Sequence, residues 1–299
     1  MTLIAPPVST ARIAQELEQA RRSGPLRQIA IPPCPTLLLR LRDTLAPREP
    51  DLNEVAAIAS HDVAMSAVLI QRANSPLHRA AAGGTAPLST VGQAMTVLGL
   101  DETARTMTEF LARKALPVRS PQLERFWERS SRRAMAMAFI ARQLPGLAVD
   151  LAHAHGLFCH VGLPVLLQCL PGYGATLMEA EMRHDRSPVA TENANHRSDH
   201  AVVGALVCKL WRFSPTLVAS VRLHHDLLDL GREPADTEPE VQTLVAAGLL
   251  AEQLMRQAEQ LPPDRDWQDH AQQALDWLAV PADELAHWQD RLQPIFDAG

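Results

Sequence analysis

The sequence predicts an all-α fold. Aromatic residues make up only 4% of the chain, while Ala and Leu abound and β-branched runs are few. No segment sustains the two-residue alternation of a half-buried strand. With 299 residues, 46% of them hydrophobic, the chain can bury a substantial core as one large domain or two intimate ones.

Helix signals recur along the chain. Residues 11–22 (ARIAQELEQARR) form a short amphipathic helix ending at Ser23-Gly24-Pro25. Pro32, Pro33 and Pro35 then forbid helix before Thr36 and set the start of one after it. Asp51 is expected to cap the next helix, with Glu54 completing a reciprocal box. Asp62 caps a further helix that Asn74-Ser75-Pro76 ends. Ser89 or Thr90 starts VGQAMTVLGL, which Gly99 stops, and Asp101 opens a helix to about Ala115. Five helices joined by short turns predict a compact bundle.

Three later helices are announced by serine followed by proline: Ser120-Pro121, Ser187-Pro188 and Ser214-Pro215. The first opens a long helix over about 121–143. Helices near 148–159, 163–170 and 174–183 follow, separated by glycines and Pro171. After the charged break GREPADTEPE, three more are expected near 239–259, 265–279 and 282–293. The last two carry Trp267, Trp277 and Trp288. Such helices ordinarily bury tryptophan against the preceding bundle, although tryptophan also suits partner surfaces.

The chemistry-bearing stretch is 151–226. LAHAHGLFCHVG, SDHAVVGALVCKLW and VRLHHDL hold six of the twelve histidines: His153, His155, His160, His200, His224 and His225. All fall on apolar segments that read as helices. Imidazoles brought together by helix packing can hold a metal ion. His153 and His155 lie two apart on a helix and diverge, so no joint site is expected of them. His61-Asp62 reads as a capping pair, and His184-Asp185 as a solvated polar turn. No phosphate-binding glycine loop or serine-hydrolase elbow is present.

Cys34, Cys159, Cys169 and Cys208 form no CxxC pair and read as reduced thiols. No cation neighbours Cys159 in sequence, so core packing is expected of it. The net charge of −6 gives no electrostatic signature of nucleic-acid binding. The N-terminus lacks the pattern of a signal peptide, and no stretch has the roughly 18 uninterrupted apolar residues of a membrane helix. A cytoplasmic protein with neither nucleic-acid nor membrane partner is expected.

A family resemblance spans about Ile31 to Asp226. IPPCPTLLLRL, IASHDVAMSAVLIQRANSPLH and LSTVGQAMTVLGLDETART resemble the leading blocks of the HDOD family. FWERSSRRAMAMAFIARQL, GLFCHVGLPVLL, SDHAVVGALVCKLW and VRLHHDL follow in that family's order and approximate spacing. The family is a divergent branch of the HD phosphohydrolase superfamily found in bacterial signalling proteins. Four parts are expected: an N-terminal helical extension (1–25), a helical subdomain (26–118), an HD-like helical subdomain (119–230) and, outside the resemblance, C-terminal helices packing on the HD-like part (231–299).

In the catalytic relatives, the resemblance implies, a long-helix histidine, a His-Asp dyad and later His and Asp positions hold metal. Here the long-helix position falls at Arg129 and the dyad at Cys159-His160. An arginine cannot deprotonate to become a ligand, and its charge repels a cation. Arg129, Cys159, His160, Asp199, His200, His224 and His225 are therefore read as a vestigial pocket with no catalytic residue. No cofactor is expected. The weaker alternative is one divalent metal on His200, His224 and either His160 or Cys159. Adjacent helical residues point about 100° apart, so Cys159 and His160 are not expected to share an ion, nor are His224 and His225. The function implied is a non-catalytic signal-transduction module with a protein partner or a small nucleotide-like ligand. The alternative is a metal-dependent phosphohydrolase acting on a phosphoester or nucleotide.

Overall fold

The computed structural model describes residues 10–22, 25–82, 87–116, 121–183, 185–227, 230 and 237–298. Among them are sixteen α-helices, one short 3₁₀ turn (Pro25–Gln28) and no extended strand. No described helix is long and apolar enough to cross a membrane. The chain divides into two compact units, one of Pro32–Arg119 with Asp297–Gly299 and one of Met1–Ile31 with Ser120–Phe296. The N-terminal extension thus belongs with the later helices and not with the bundle that follows it in sequence.

Pro32–Arg119 holds α2 (Thr36–Leu45), α3 (Leu52–Ser60), α4 (Val63–Ala73), α5 (Pro76–Ala82) and α6 (Val91–Ala115). Asp51 and Asp62 cap α3 and α4, each accepting from two backbone N–H groups. Glu54 does not reciprocate for Asp51; its carboxylate takes the Arg40 guanidinium at 2.6 Å. Thr90 and Gln93 form a complete capping box at α6. Gly99 does break that helix, with φ 76° and ψ 170°, but the hydrogen-bonded run resumes at once. Pro76 begins the short helix α5, which the sequence reading omits. Asn74 ends α4 and also ties down Leu88, donating to its carbonyl at 2.9 Å and accepting from its N–H at 2.8 Å.

The other unit comprises α1 (Thr10–Arg22), α7 (Pro121–Gln143), α8 (Val149–Phe158), α9 (Gly162–Cys169), α10 (Tyr173–Met182) and α11 (Pro188–His196). It continues with α12 (His200–Leu210), α13 (Pro215–Leu223), α14 (Pro239–Ala258), α15 (Arg265–Leu278) and α16 (Ala282–Ala298). Ser187 and Ser214 cap α11 and α13 as their Ser-Pro pairs predict; Ser120 lies outside the described residues. Helix α7 packs against α8, and α14 lies across α7, α8 and α13. Its sequence explains the central seat: PEVQTLVAAGLLAEQLMRQA buries residues around most of its circumference, from Val241 to Met255. Helices α7 and α8 meet closely at Gly156, where a Cβ would stand 2.7 Å from the Arg133 carbonyl oxygen. Helix α15 packs on α14. Trp288 of α16 is buried edge-on to Phe139 of α7.

Candidate functional site

Four imidazoles converge in this second unit. His160 lies in the turn between α8 and α9, His200 is the first residue of α12, and His224 and His225 follow α13. One ligand atom from each lies within 4.8 Å of the others. The expectation that His224 and His225 diverge fails because α13 ends at Leu223. Both residues occupy a turn, where the 100° helical rotation does not apply, and their ring centroids are 4.2 Å apart.

The Nδ1 atoms of His200, His224 and His225 are committed. His200 Nδ1 lies 2.7 Å from Glu192 Oε1, while the His200 backbone N–H donates to Glu192 Oε2 at 2.7 Å. His224 Nδ1 lies 2.7 Å from the Val221 carbonyl oxygen, which can only accept. His225 Nδ1 lies 2.5 Å from Asp266 Oδ2. All three Nδ1 atoms therefore carry the proton, and in the neutral ring each Nε2 presents a lone pair. His200 Nε2 faces both His224 Nε2 and His225 Nε2 at 3.2 Å. Lone pairs at that separation repel unless a positive centre lies among them. One proton can bridge one of these contacts but not both.

The charges around the cluster are sorted. Burial, with Arg133 and the other three histidines, holds the imidazolium of His160 well below its ordinary range. Burial, followed by His225 and His200, does the same for His224. Burial also opposes charge on His225, but Asp266 outweighs it and raises the net value. Burial works against the carboxylate of Glu192, yet His200 wins and lowers it. A carboxylate behind a ring Nδ1–H is the arrangement that orients and strengthens a metal-binding imidazole.

The donor set fits a metal ion of the zinc class. Zn–N bonds of ~2.0–2.1 Å at tetrahedral angles put ligand nitrogens about 3.3 Å apart. The two Nε2 contacts of 3.2 Å already match that spacing. No carboxylate belongs to the ligand group among the described residues.

Other predicted pocket residues do different work. Arg129 turns away to α14, where its guanidinium bonds Glu252 at 2.6 Å and also pairs with Glu259. The long-helix cation that acts on His160 and Cys159 is Arg133, one turn further on, itself held by Glu252 at 2.7 Å. Cys159 therefore does have a cationic neighbour in space. Burial still dominates, pushing its thiol up to about 11, and its S–H points to the Gly156 carbonyl. Cys159 is not in the ligand group; His160 is. Asp199 caps α12 by accepting from Val202 N at 2.9 Å.

His155 joins α8 to α13 through Ser220 Oγ at 2.9 Å, and burial followed by Arg133 brings its pKa down to about 3. His61 does not join the cluster, Asp62 caps α4, and His184 lies outside the described residues. Sequence reasoning missed Glu192, Asp266 and Arg133. Glu192 lies in the unremarkable TENANH, and Asp266 reads as an ordinary first-turn acid of a helix.

Comparison with known proteins agrees with the resemblance. The model of the HDOD domain matches residues 31–227. The chain belongs to the HDOD domain family. An uncharacterized protein of Treponema pallidum (strain Nichols) is 22% identical over 221 residues, 73% of this chain; the HDOD chain spans only 42% of that relative's length. Among solved structures, a "putative signal transduction protein" of Marinobacter aquaeolei VT8 has TM-score 0.73 at 18% identity, covering 97% of this chain and 64% of its own. A "putative phosphohydrolase" of Shewanella amazonensis SB2B has TM-score 0.65 at 19% identity, covering 95% and 94%. These likenesses establish the shared helical fold.

Proposed function

We propose that this HDOD chain is a non-hydrolytic signal-transduction module whose four-histidine cluster holds one divalent cation of the zinc class. The observation that carries the reading is the pair of 3.2 Å contacts at His200 Nε2, with the Nδ1 atoms of His200, His224 and His225 committed elsewhere. A single cation would relieve both contacts together. When bound, it would supply charge and cross-link the ends of α8, α12 and α13.

The donor chemistry argues for a holding site. Catalytic zinc sites keep one position for water, whereas four protein ligands close the coordination sphere. The carboxylates nearest the cluster, Glu192 and Asp266, are engaged by ring N–H groups. Cys159 occupies the first position of the dyad as a protonated, buried thiol. The module would act by contact with a protein partner of a signalling pathway, or with a small nucleotide-like ligand. The net charge of −6 argues against nucleic acid as that partner.

The test is metal analysis of the full chain by elemental mass spectrometry and competitive zinc titration. Hydrolysis of bis(p-nitrophenyl) phosphate is assayed in parallel with zinc, manganese and iron. One zinc per chain, lost in His200→Ala and His224→Ala, with no turnover, supports the reading. Turnover that disappears in both variants would replace it with a metal-dependent phosphohydrolase. Failure of the wild type to bind zinc would remove the metal from it.

A further inference from the structure

Asp266 lies beyond the HDOD match, which ends at residue 227, yet its carboxylate meets His225 Nδ1 at 2.5 Å. Both side chains are mostly withdrawn from solvent, each 16% exposed. The histidine cluster is therefore completed by a residue from outside the family segment. That residue stands in the first turn of α15, two positions after Asp264, whose carboxylate caps the helix by accepting from Trp267 N at 2.9 Å.

Helix α15 packs on α14, but few of its side chains are fully buried. Of its residues only Ala274 and Leu275 are buried, and they lie towards its C-terminal end. Trp277 Nε1 donates to Thr243 Oγ1 on α14 at 3.1 Å, also near that end. At the N-terminal end, the His225–Asp266 hydrogen bond is the direct link between α15 and the cluster. Its N-terminal half has no fully buried side chain, so one strong polar contact there counts in how that end is docked.

We infer that Asp266 is a positioning residue for the cation site and that α15 is the element through which occupancy of the site is felt outside the HDOD segment. The inference rests on the proposed cation site. A cation on His225 Nε2 withdraws electron density from the ring, making Nδ1–H a stronger donor to Asp266. Conversely, the carboxylate makes the ring a better ligand, an effect of ~10–100-fold in affinity for partners of this kind. Linkage requires the two effects to be equal: the factor by which docked Asp266 strengthens cation binding is the factor by which the cation strengthens docking. Glu192 supports His200 in the same way, but from α11 and inside the family segment. Among the described residues, Asp266 is the one whose hydrogen bond joins the cluster to a region that the family match does not cover.

The experiment is hydrogen exchange of the full chain with and without saturating zinc, read by mass spectrometry, beside zinc affinities of wild type and Asp266→Asn. In the wild type, zinc is expected to slow exchange over 265–278 by ~10–100-fold. Asp266→Asn should bind zinc ~10–100-fold more weakly and, at saturation, lose that protection. A wild type that binds zinc with unchanged exchange over 265–278 overturns the inference and leaves the cation site standing. An Asp266→Asn variant with wild-type affinity and protection overturns it equally. A wild type that binds no zinc removes the cation site and this inference together. Should Asp266→Asn fail to fold, the wild-type exchange comparison still decides the matter.

Discussion

A Cβ placed on Gly162 would stand 2.1 Å from the carbonyl oxygen of His200. The start of α9 and the first turn of α12 thus touch backbone to backbone, and that contact seats His200 in the cluster. Gly162→Ala must push the helices apart, with an expected loss of ~2–3 kcal/mol in urea unfolding and weaker zinc binding. Gly204→Ala should cost less, because its Cβ would meet nothing nearer than Val221 Cγ1 at 3.2 Å and Gly162 N at 3.3 Å. Equal losses for the two variants would contradict the close approach.

The ion pairs behind the cluster predict an acid-dependent stability. Burial opposes the charge on Glu252, but Arg133 and Arg129 outweigh it and hold its pKa down to about 2, below the ordinary 4.5. The unfolded chain therefore takes up this proton first as pH falls. The stabilisation is complete above about pH 4.5 and is lost towards pH 2, amounting to ~3 kcal/mol at most. Denaturant unfolding at several pH values should show this slope in the wild type and a shallower one in Glu252→Gln. Arg133→Ala should be worse still, costing ~3–5 kcal/mol at neutral pH, since it leaves a buried carboxylate short of a partner. An unchanged pH slope in Glu252→Gln would dismiss the pair as a stabilising element.

Thiol reactivity should split two and two. Cys159 and Cys208 are buried, and Cys34 and Cys169 are partly accessible. With its pKa near 11, only about one Cys159 in ten thousand is thiolate at pH 7. Titration of native protein with a disulfide reagent should label Cys34 and Cys169, and all four cysteines only in denaturant. Rapid native labelling of Cys159 would mean that it is open and activated.

Two glycines of one helix should respond with opposite sign. Gly99 has φ 76° and ψ 170°, a region almost closed to side chains, so Gly99→Ala should cost ~1–3 kcal/mol. Gly92 sits in the first turn of α6 with open space where a Cβ would stand, so Gly92→Ala should stabilise by ~0.5–1 kcal/mol. Thermal unfolding of the two variants checks both signs. A harmless Gly99→Ala would mean that the helix runs straight.

Much of the fold was legible in local chemistry. Asp51, Asp62, Thr90, Ser187 and Ser214 each cap the helix their position announces, because a cap is a bond between residues two or three apart. The candidate site was legible only in part. His160, His200, His224 and His225 stand out as a set, but their convergence depends on where α8 and α13 stop. Helix phase misled the reading at His224-His225, since that rule fails one residue past a helix end.

By itself the sequence determined an all-helical chain, most of its helix starts, its family, and the histidines available for a site. Only the tertiary structure decided which carboxylates stand behind the rings, bringing Glu192 to His200 and Asp266 to His225 across 8 and 41 residues. It also decided that Arg133, and not Arg129, is the long-helix cation acting on His160 and Cys159. The reason is geometric: caps are set by neighbours along the backbone, whereas the rotation of one helix against another depends on packing summed over the whole core, which no short stretch encodes.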